Sequence, residues 1–339
     1  MSTDRAIRRT ARLVLRPVEP GDAGAIAAGI SDWEVIRWLT TPPWPYGLAD
    51  AQAFLSSQAS EGAMAMIAGG HLAGIVHIGP TGELGYWLER SCHGKGYMTE
   101  AASALVSAHF RGGGGAIWSG HLVGNAASRN VLTKLGFRDT GVVTKHSAPL
   151  KRDVDIQRME LSPEDWGRHN PLVIDTPRLR LGPLDADRDW RRLSGIGGDQ
   201  DVARMLYSVR SPWSEAEVRD WITRSAWRGC VGFRLGIWQK AGDLIGSVGV
   251  GGSPTSVAYF LDRAHWGRGY ATEAMVALME ALDARFGPKE YEAEHFGDNP
   301  ASGRVLQKIG FAMVCETLGR SGARLLPAPM FLYRRAPRG

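Results

Sequence analysis

The chain carries one nine-residue pattern twice, and that repeat limits its fold more than any other feature of the 339 residues. The first copy is His93-Gly94-Lys95-Gly96-Tyr97-Met98-Thr99-Glu100-Ala101, the second Trp266-Gly267-Arg268-Gly269-Tyr270-Ala271-Thr272-Glu273-Ala274. Each follows an aromatic-rich apolar run, Leu84 to Leu88 or Val257 to Leu261. Each opens a segment with apolar residues at helical spacing, Ala101 to Phe110 or Ala274 to Phe286. The local order is strand, Gly-x-Gly turn, helix. Glycines let the backbone turn tightly, and successive N–H groups at the start of a helix form a nest for an anion. Lys95 and Arg268 sit inside the two turns, where a cation adds to a phosphate contact. The bland alternative is a turn in which the glycines serve geometry alone; two copies with the same flanks argue against it.

The match continues in both directions. Arg12 to Pro17 and Arg178 to Pro183 read as first strands, preceded by Thr10 and Thr176. Acidic helix-prone stretches, Pro-Trp steps at Pro43-Trp44 and Pro212-Trp213, further helices and short apolar strands follow in the same order. Downstream, Asn125-Ala126-Ala127-Ser128 and Asn299-Pro300-Ala301-Ser302 each start a helix closed by a glycine, as an N-cap and a C-terminal glycine require. His121 and His295 stand four residues ahead of each Asn. Offsets stay near 170 residues, which marks a tandem duplication and not a short-period solenoid. The expected halves are 1–162 and 174–339, with the polar, proline-bounded segment 163–173 as linker. Each half reads β-α-α-β-β-β-α-β-α-β-β, an α+β unit with a mixed sheet.

Composition narrows the class. With 44% hydrophobic and 22% charged residues, the chain reads as globular with material for two cores. No signal-peptide core or membrane-length apolar run is present, and the cysteines, Cys92, Cys230 and Cys315, have no metal-type spacing. A cytoplasmic protein is expected. The net charge of +5 falls in the second half, and no basic run interleaved with aromatics suggests nucleic-acid binding. No Gly-Lys-Ser/Thr follows either glycine pair, so a P-loop is a weak reading.

These residues resemble the GNAT acetyltransferase superfamily, and within it the RimJ/RimL-like N-acetyltransferase branch, over both halves nearly end to end. Gly96 and Gly269 match the invariant glycine of its acetyl-CoA motif, and Ala271 matches the final small residue, whereas Met98 departs from it. The resemblance implies two tandem GNAT domains, each a mostly antiparallel mixed sheet with a splayed central strand pair and flanking helices. It implies acetyl-CoA as coenzyme, with pantetheine on Tyr86, Trp87 and Leu88 and on Tyr259, Phe260 and Leu261. Pyrophosphate would lie on Gly94 to Thr99 and on Gly267 to Thr272. An N–H near Leu88 or Leu261 would stabilise the oxyanion, a donor typically worth about 3 kcal/mol. Asn125 and Asn299 are candidate coenzyme contacts as well as N-caps. Many relatives place a tyrosine acid where Leu132 and Leu306 stand here; the RimJ/RimL-like branch is similar in using the serine of Asn-x-x-Ser, here Ser128 and Ser302.

For the base, His121 and His295 are candidates, beside a buried structural role; Glu83 and Glu294 are further ones. An α-amine of pKa about 7.7 is neutral roughly one time in six at pH 7, a lysine about one in several thousand, which favours N-terminal or small amines. No cysteine sits at a matching place in the two motifs, so direct transfer to a primary amine is expected, from a monomer whose fused halves mimic a dimer. The segments Trp33 to Tyr46 and Val202 to Trp213 are expected on the acceptor side. The alternative is an acyl-CoA-binding regulatory protein with one or both halves idle, motivated by Met98.

Overall fold

The computed structural model describes residues 7–337. They divide into two compact units, Met1–His169 and Asn170–Gly339. In the first unit the order is β1 (Arg8–Arg9), β2 (Val14–Pro17), α1 (Ala23–Ile30), α2 (Trp33–Ile36), α3 (Leu48–Ser56), β3 (Met64–Ala68), β4 (His71–Ile78) and β5 (Leu84–Leu88). It continues with α4 (Tyr97–Arg111), β6 (Ile117–Leu122), α5 (Ala126–Leu135), β7 (Arg138–Ser147), β8 (Arg152–Leu161) and α6 (Pro163–His169). The second unit repeats it with β9 (Ile174–Asp175), β10 (Leu179–Gly182), α7 (Trp190–Gly197), α8 (Gln200–Ala203), α9 (Glu215–Arg224), β11 (Phe233–Gln239), β12 (Leu244–Gly251) and β13 (Ser256–Leu261). There follow α10 (Tyr270–Phe286), β14 (Tyr291–Phe296), α11 (Pro300–Lys308), β15 (Ala312–Gly319) and β16 (Ala328–Arg335).

The segment expected as linker contains the division between the units, and part of it is helical. Its first seven residues form α6, and Trp166 in it is buried, its ring centroid 5.6 Å from that of Phe110. Burying one large aromatic contributes about 1.5–3 kcal/mol, enough to hold a short polar helix onto the first unit.

All sheet pairings are antiparallel except at one place in each unit. In the first, β1-β2-β3-β4-β5 and β6-β8-β7 are joined by a parallel bridge, Glu83 to Trp118, and by Ser119 Oγ donating to the Leu84 carbonyl at 2.7 Å. In the second, β13 and β14 pair in parallel at Ser256 and Glu292, which joins all eight strands. Beyond these starting contacts the two central strands part, so each sheet carries a gap along one edge of β5 or β13.

The helices flanking the gap form for local reasons. Met98, Ala101, Ala102, Leu105, Val106 and Phe110 fall on one face of α4 at helical spacing and are buried against the sheet. Gly96, at φ 78°, and Gly269, at φ 79°, occupy the left-handed region where only glycine rests without strain, and they end the turn. Gly136, at φ 94°, closes α5 in the same conformation.

Candidate active site

The turn before α4 is built to expose amides. The first helical bond runs from Glu100 N–H to Gly96 C=O, which leaves the N–H groups of Tyr97, Met98 and Thr99 outside the helix ladder. In the second unit the bond from Glu273 to Gly269 likewise leaves Tyr270, Ala271 and Thr272. Arg12 Nη1 donates to the Lys95 carbonyl at 2.7 Å, and Arg178 Nη1 to the Arg268 carbonyl at 3.0 Å. Because the peptide is planar, fixing that carbonyl on one side sends the Gly96 or Gly269 N–H to the other. The Met98 side chain is buried in the core, so it does not cross the turn. Tyr97 and Tyr270 lie under the guanidinium groups of Arg12 and Arg178, at 5.0 and 4.6 Å from the ring centroids.

Register shows which backbone groups face the gap. Gly79 N–H bonds Glu83 C=O and Glu89 N–H bonds Ala73 C=O, so in alternating antiparallel pairs Trp87 spends its N–H and C=O on Ile75. Tyr86 and Leu88 then direct theirs across the open edge. The Leu88 carbonyl accepts from His93 Nε2 at 2.9 Å, and the Leu261 carbonyl from Trp266 Nε1 at 2.9 Å. In the second unit Asp262 N–H bonds Ile245 C=O, which commits Phe260 to Ser247 and frees Tyr259 and Leu261. Of each expected three-residue contact, the outer two residues therefore face the gap, and Trp87 and Phe260 are core residues instead.

Across the gap stand the serines. Tyr86 Oη lies 2.9 Å from Ser128 Oγ, and Tyr259 Oη 2.6 Å from Ser302 Oγ. Burial pushes both phenols up to about 12 despite the serine contact, so they remain protonated donors. Asn125 and Asn299 act as caps, their side-chain oxygens accepting from Ser128 N–H at 3.0 Å and Ser302 N–H at 3.2 Å. His121 Nδ1 donates to the Leu122 carbonyl at 3.0 Å, and its buried Nε2 has no partner among the described residues. His295 Nδ1 donates to the Phe296 carbonyl at 2.8 Å, with Nε2 3.4 Å from Tyr333 Oη. A Cβ placed on Gly303 would come within 2.7 Å of His295 Nε2, so this ring lies beneath α11, on the serine side of the sheet.

A cleft of about 1350 Å³ in the first unit runs from the turn and the Tyr86–Ser128 pair through to the opposite face. Side chains alternate along a strand. Glu83 therefore shares a face with Gly85 and Trp87, away from Tyr86, and its bridge partner Trp118 lies beside it. Trp38, Thr40, Tyr46, Trp118, Lys145 and Arg158 line this cleft with Glu83. Arg158 sits over the Trp118 ring at 4.7 Å. Burial raises the Glu83 pKa, only partly offset by Lys145 and Arg158. In the second unit Trp213 and Val202, expected on the acceptor side, are core residues.

The acetyltransferase (GNAT) domain family matches residues 12–138 and again 178–312. The chain belongs to the GNAT acetyltransferase family. An uncharacterised Bacillus subtilis protein, YkkB, is 29% identical over 149 residues, covering 40% of this chain and 82% of the relative. Among solved structures, a putative acetyltransferase from T. thermophilus is 20% identical with a TM-score of 0.44, covering 50% of this chain and 98% of its own. Mycobacterium smegmatis RimJ, in complex with CoA-disulfide, is 22% identical with a TM-score of 0.40, covering 46% of this chain and 85% of its own.

GNAT acetyltransferases use acetyl-CoA, and the residues of this chain suit it: unpaired amides at the turn for a diphosphate, and a free strand edge for an amide-bearing arm. The residues that the motif alone does not reveal are those that hold the GNAT turn in place. Glu100 accepts from Thr10 Oγ1 at 2.5 Å, Arg12 N–H at 2.8 Å and Arg12 Nε at 2.7 Å. Glu273 accepts the same three bonds from Thr176 and Arg178, at 2.7, 2.9 and 2.6 Å. Their signal was the repeated Thr-x-Arg ahead of each first strand.

Proposed function

We propose that this chain is an N-acetyltransferase that moves the acetyl group of acetyl-CoA directly to a primary amine, a protein N-terminus or a small-molecule amine, in the cytoplasm. The observation that carries this is the pairing, in each unit, of a free strand edge with a tyrosine-held serine across the same gap. Acetyl-CoA supplies an activated thioester carbonyl. The Tyr86 or Leu88 N–H aims at the oxygen that gains charge as the bond is exchanged, a donor worth about 3 kcal/mol when well placed.

Ser128 delivers a proton to the sulfur as the C–S bond breaks, and Glu83 takes one from the amine as the C–N bond forms. Glu83 suits the task by position, lining the cleft on the face away from Tyr86, and by a pKa raised through burial. His121 and His295, whose ring Nδ1 atoms are tied to neighbouring carbonyls, are read as orienting groups on the serine side. Thiol release with acetyl-CoA and a panel of amino acids, short peptides, polyamines and aminoglycosides tests the reading. Glu83→Gln should lower kcat about a hundredfold and remove the acidic limb of the pH profile, where the working carboxylate becomes protonated. No thiol release with any of these amines would end it.

A further inference from the structure

The two units differ at the mouth through which an acceptor enters. In the first, Thr40 and Gly120 both line the cleft and no side-chain bond joins them among the described residues. The repeat places Tyr207 at the position of Thr40, Glu294 at that of Gly120 and Asp298 at that of Gly124. The Tyr207 hydroxyl donates to the Glu294 carboxylate and lies 3.1 Å from the Met330 sulfur. Asp298 accepts from Arg204 at 2.5 Å and from Arg324 at 2.7 Å.

Arg324 comes from the β15–β16 connection, residues 320–327, which is longer than its counterpart, residues 148–151. Its Nε donates to the Arg204 carbonyl at 2.7 Å, its guanidinium lies 4.4 Å from the Phe296 ring centroid, and only 12% of its side chain is exposed. Gly322 N–H donates to the Tyr207 carbonyl at 2.9 Å, as Ala148 N–H does to the Thr40 carbonyl in the first unit, and Ser321 Oγ donates to the Ala203 carbonyl at 3.1 Å, so the connections are anchored alike and the difference lies in the side chains. An entering amine would have to displace this set together. The turn glycines and the Tyr259–Ser302 pair of the same unit are nevertheless intact.

We propose that the first unit alone accepts the amine, while the second holds acetyl-CoA behind a closed acceptor mouth formed by Tyr207, Glu294, Asp298, Arg204 and Arg324. This rests on the acyl-transfer reading above. In the first unit the amine proton passes to Glu83, the sulfur receives the Ser128 proton, and both groups return to their starting states by exchange with water.

The test uses the full chain loaded with two equivalents of radiolabelled acetyl-CoA, then mixed with the best acceptor of the amine panel and excess unlabelled acetyl-CoA. One acetyl per chain should transfer in a fast phase, and the second should survive as thioester at least about a hundredfold longer, because no amine reaches the acid–base groups of the second unit. Two acetyl groups leaving in one phase, or a binding stoichiometry of one, would overturn the division. No transfer to any amine while two coenzymes bind would instead remove the transferase reading, and the division with it. Opening the mouth with Tyr207→Thr, Glu294→Gly and Arg324→Ser should bring the second acetyl into the fast phase. A folded variant that still transfers only one would show that these residues are not the barrier.

Discussion

At the scale of single residues, the serine in each unit is only half of a pair. A phenol held at about 12 stays protonated at any working pH. Tyr86 Oη lies within hydrogen-bond reach of both the Ser128 carbonyl and Ser128 Oγ, so the phenol holds the serine hydroxyl in place at the gap. Tyr86→Phe should lower kcat about tenfold with the KM for acetyl-CoA unchanged, and should add nothing in a Ser128→Ala background, because residues acting through one another are not additive. Full additivity in that double-mutant cycle would separate the two. Ser128 can be read from the repeated Asn-x-x-Ser pattern. Tyr86 as its partner cannot, because the two stand 42 positions apart and only the fold brings the hydroxyls together. Met98 misleads in a similar way: as a motif departure it suggests an impaired turn, but a side chain in the first helical turn can point inward while its amide serves the ligand. Met98→Ala should therefore cost about 2–5 kcal/mol of stability through the cavity it leaves, read from the urea midpoint; an unchanged midpoint would show that the side chain is not packed.

At the scale of elements, the strand–turn–helix order is legible because it is local: apolar run, two glycines, helix formers. Gly269→Ala should show what the turn requires. A Cβ at φ 79° costs about 1–2 kcal/mol, and relief of that strain would turn the amide array away from its ligand. Calorimetry should then find one weakened acetyl-CoA site and one unaffected; two unaffected sites would mean that the turn does not bind. The gap between β5 and β6 is not legible in the same way, since register and strand order depend on contacts far apart in the chain. The same holds for the Arg12–Glu100 clamp, whose partners lie 88 residues apart although the Thr-x-Arg pattern stands in plain view. Segment 163–173 contains the boundary between the units, but its first seven residues fold as a helix on the first unit. Its prolines and charges outnumber Trp166, yet that one buried ring decides where the segment belongs.

At the scale of the whole molecule, both units carry an acid-sensitive joint of the same design. Burial would raise the Glu100 and Glu273 pKa values, but bonds from the threonine, the arginine N–H and the guanidinium outweigh it and hold both below the ordinary glutamate range. A lowered folded-state pKa contributes stability that is present above the unfolded value and lost as pH falls through the folded one. Glu273→Gln should cost about 1–2 kcal/mol at pH 7, discounted for the 48% exposure of the Arg178 side chain, and the cost should vanish below the folded-state pKa. Melting curves from pH 7 to pH 3 read this directly; a deficit that persists at the acid end would place it in packing. The clamp has one further consequence for anyone shortening this protein. A version trimmed to begin at Leu13 releases the Lys95 carbonyl, whose rotation would turn an acceptor oxygen toward the incoming diphosphate. Such a truncated protein should fold and still bind coenzyme in its rear lobe while its front lobe falls silent.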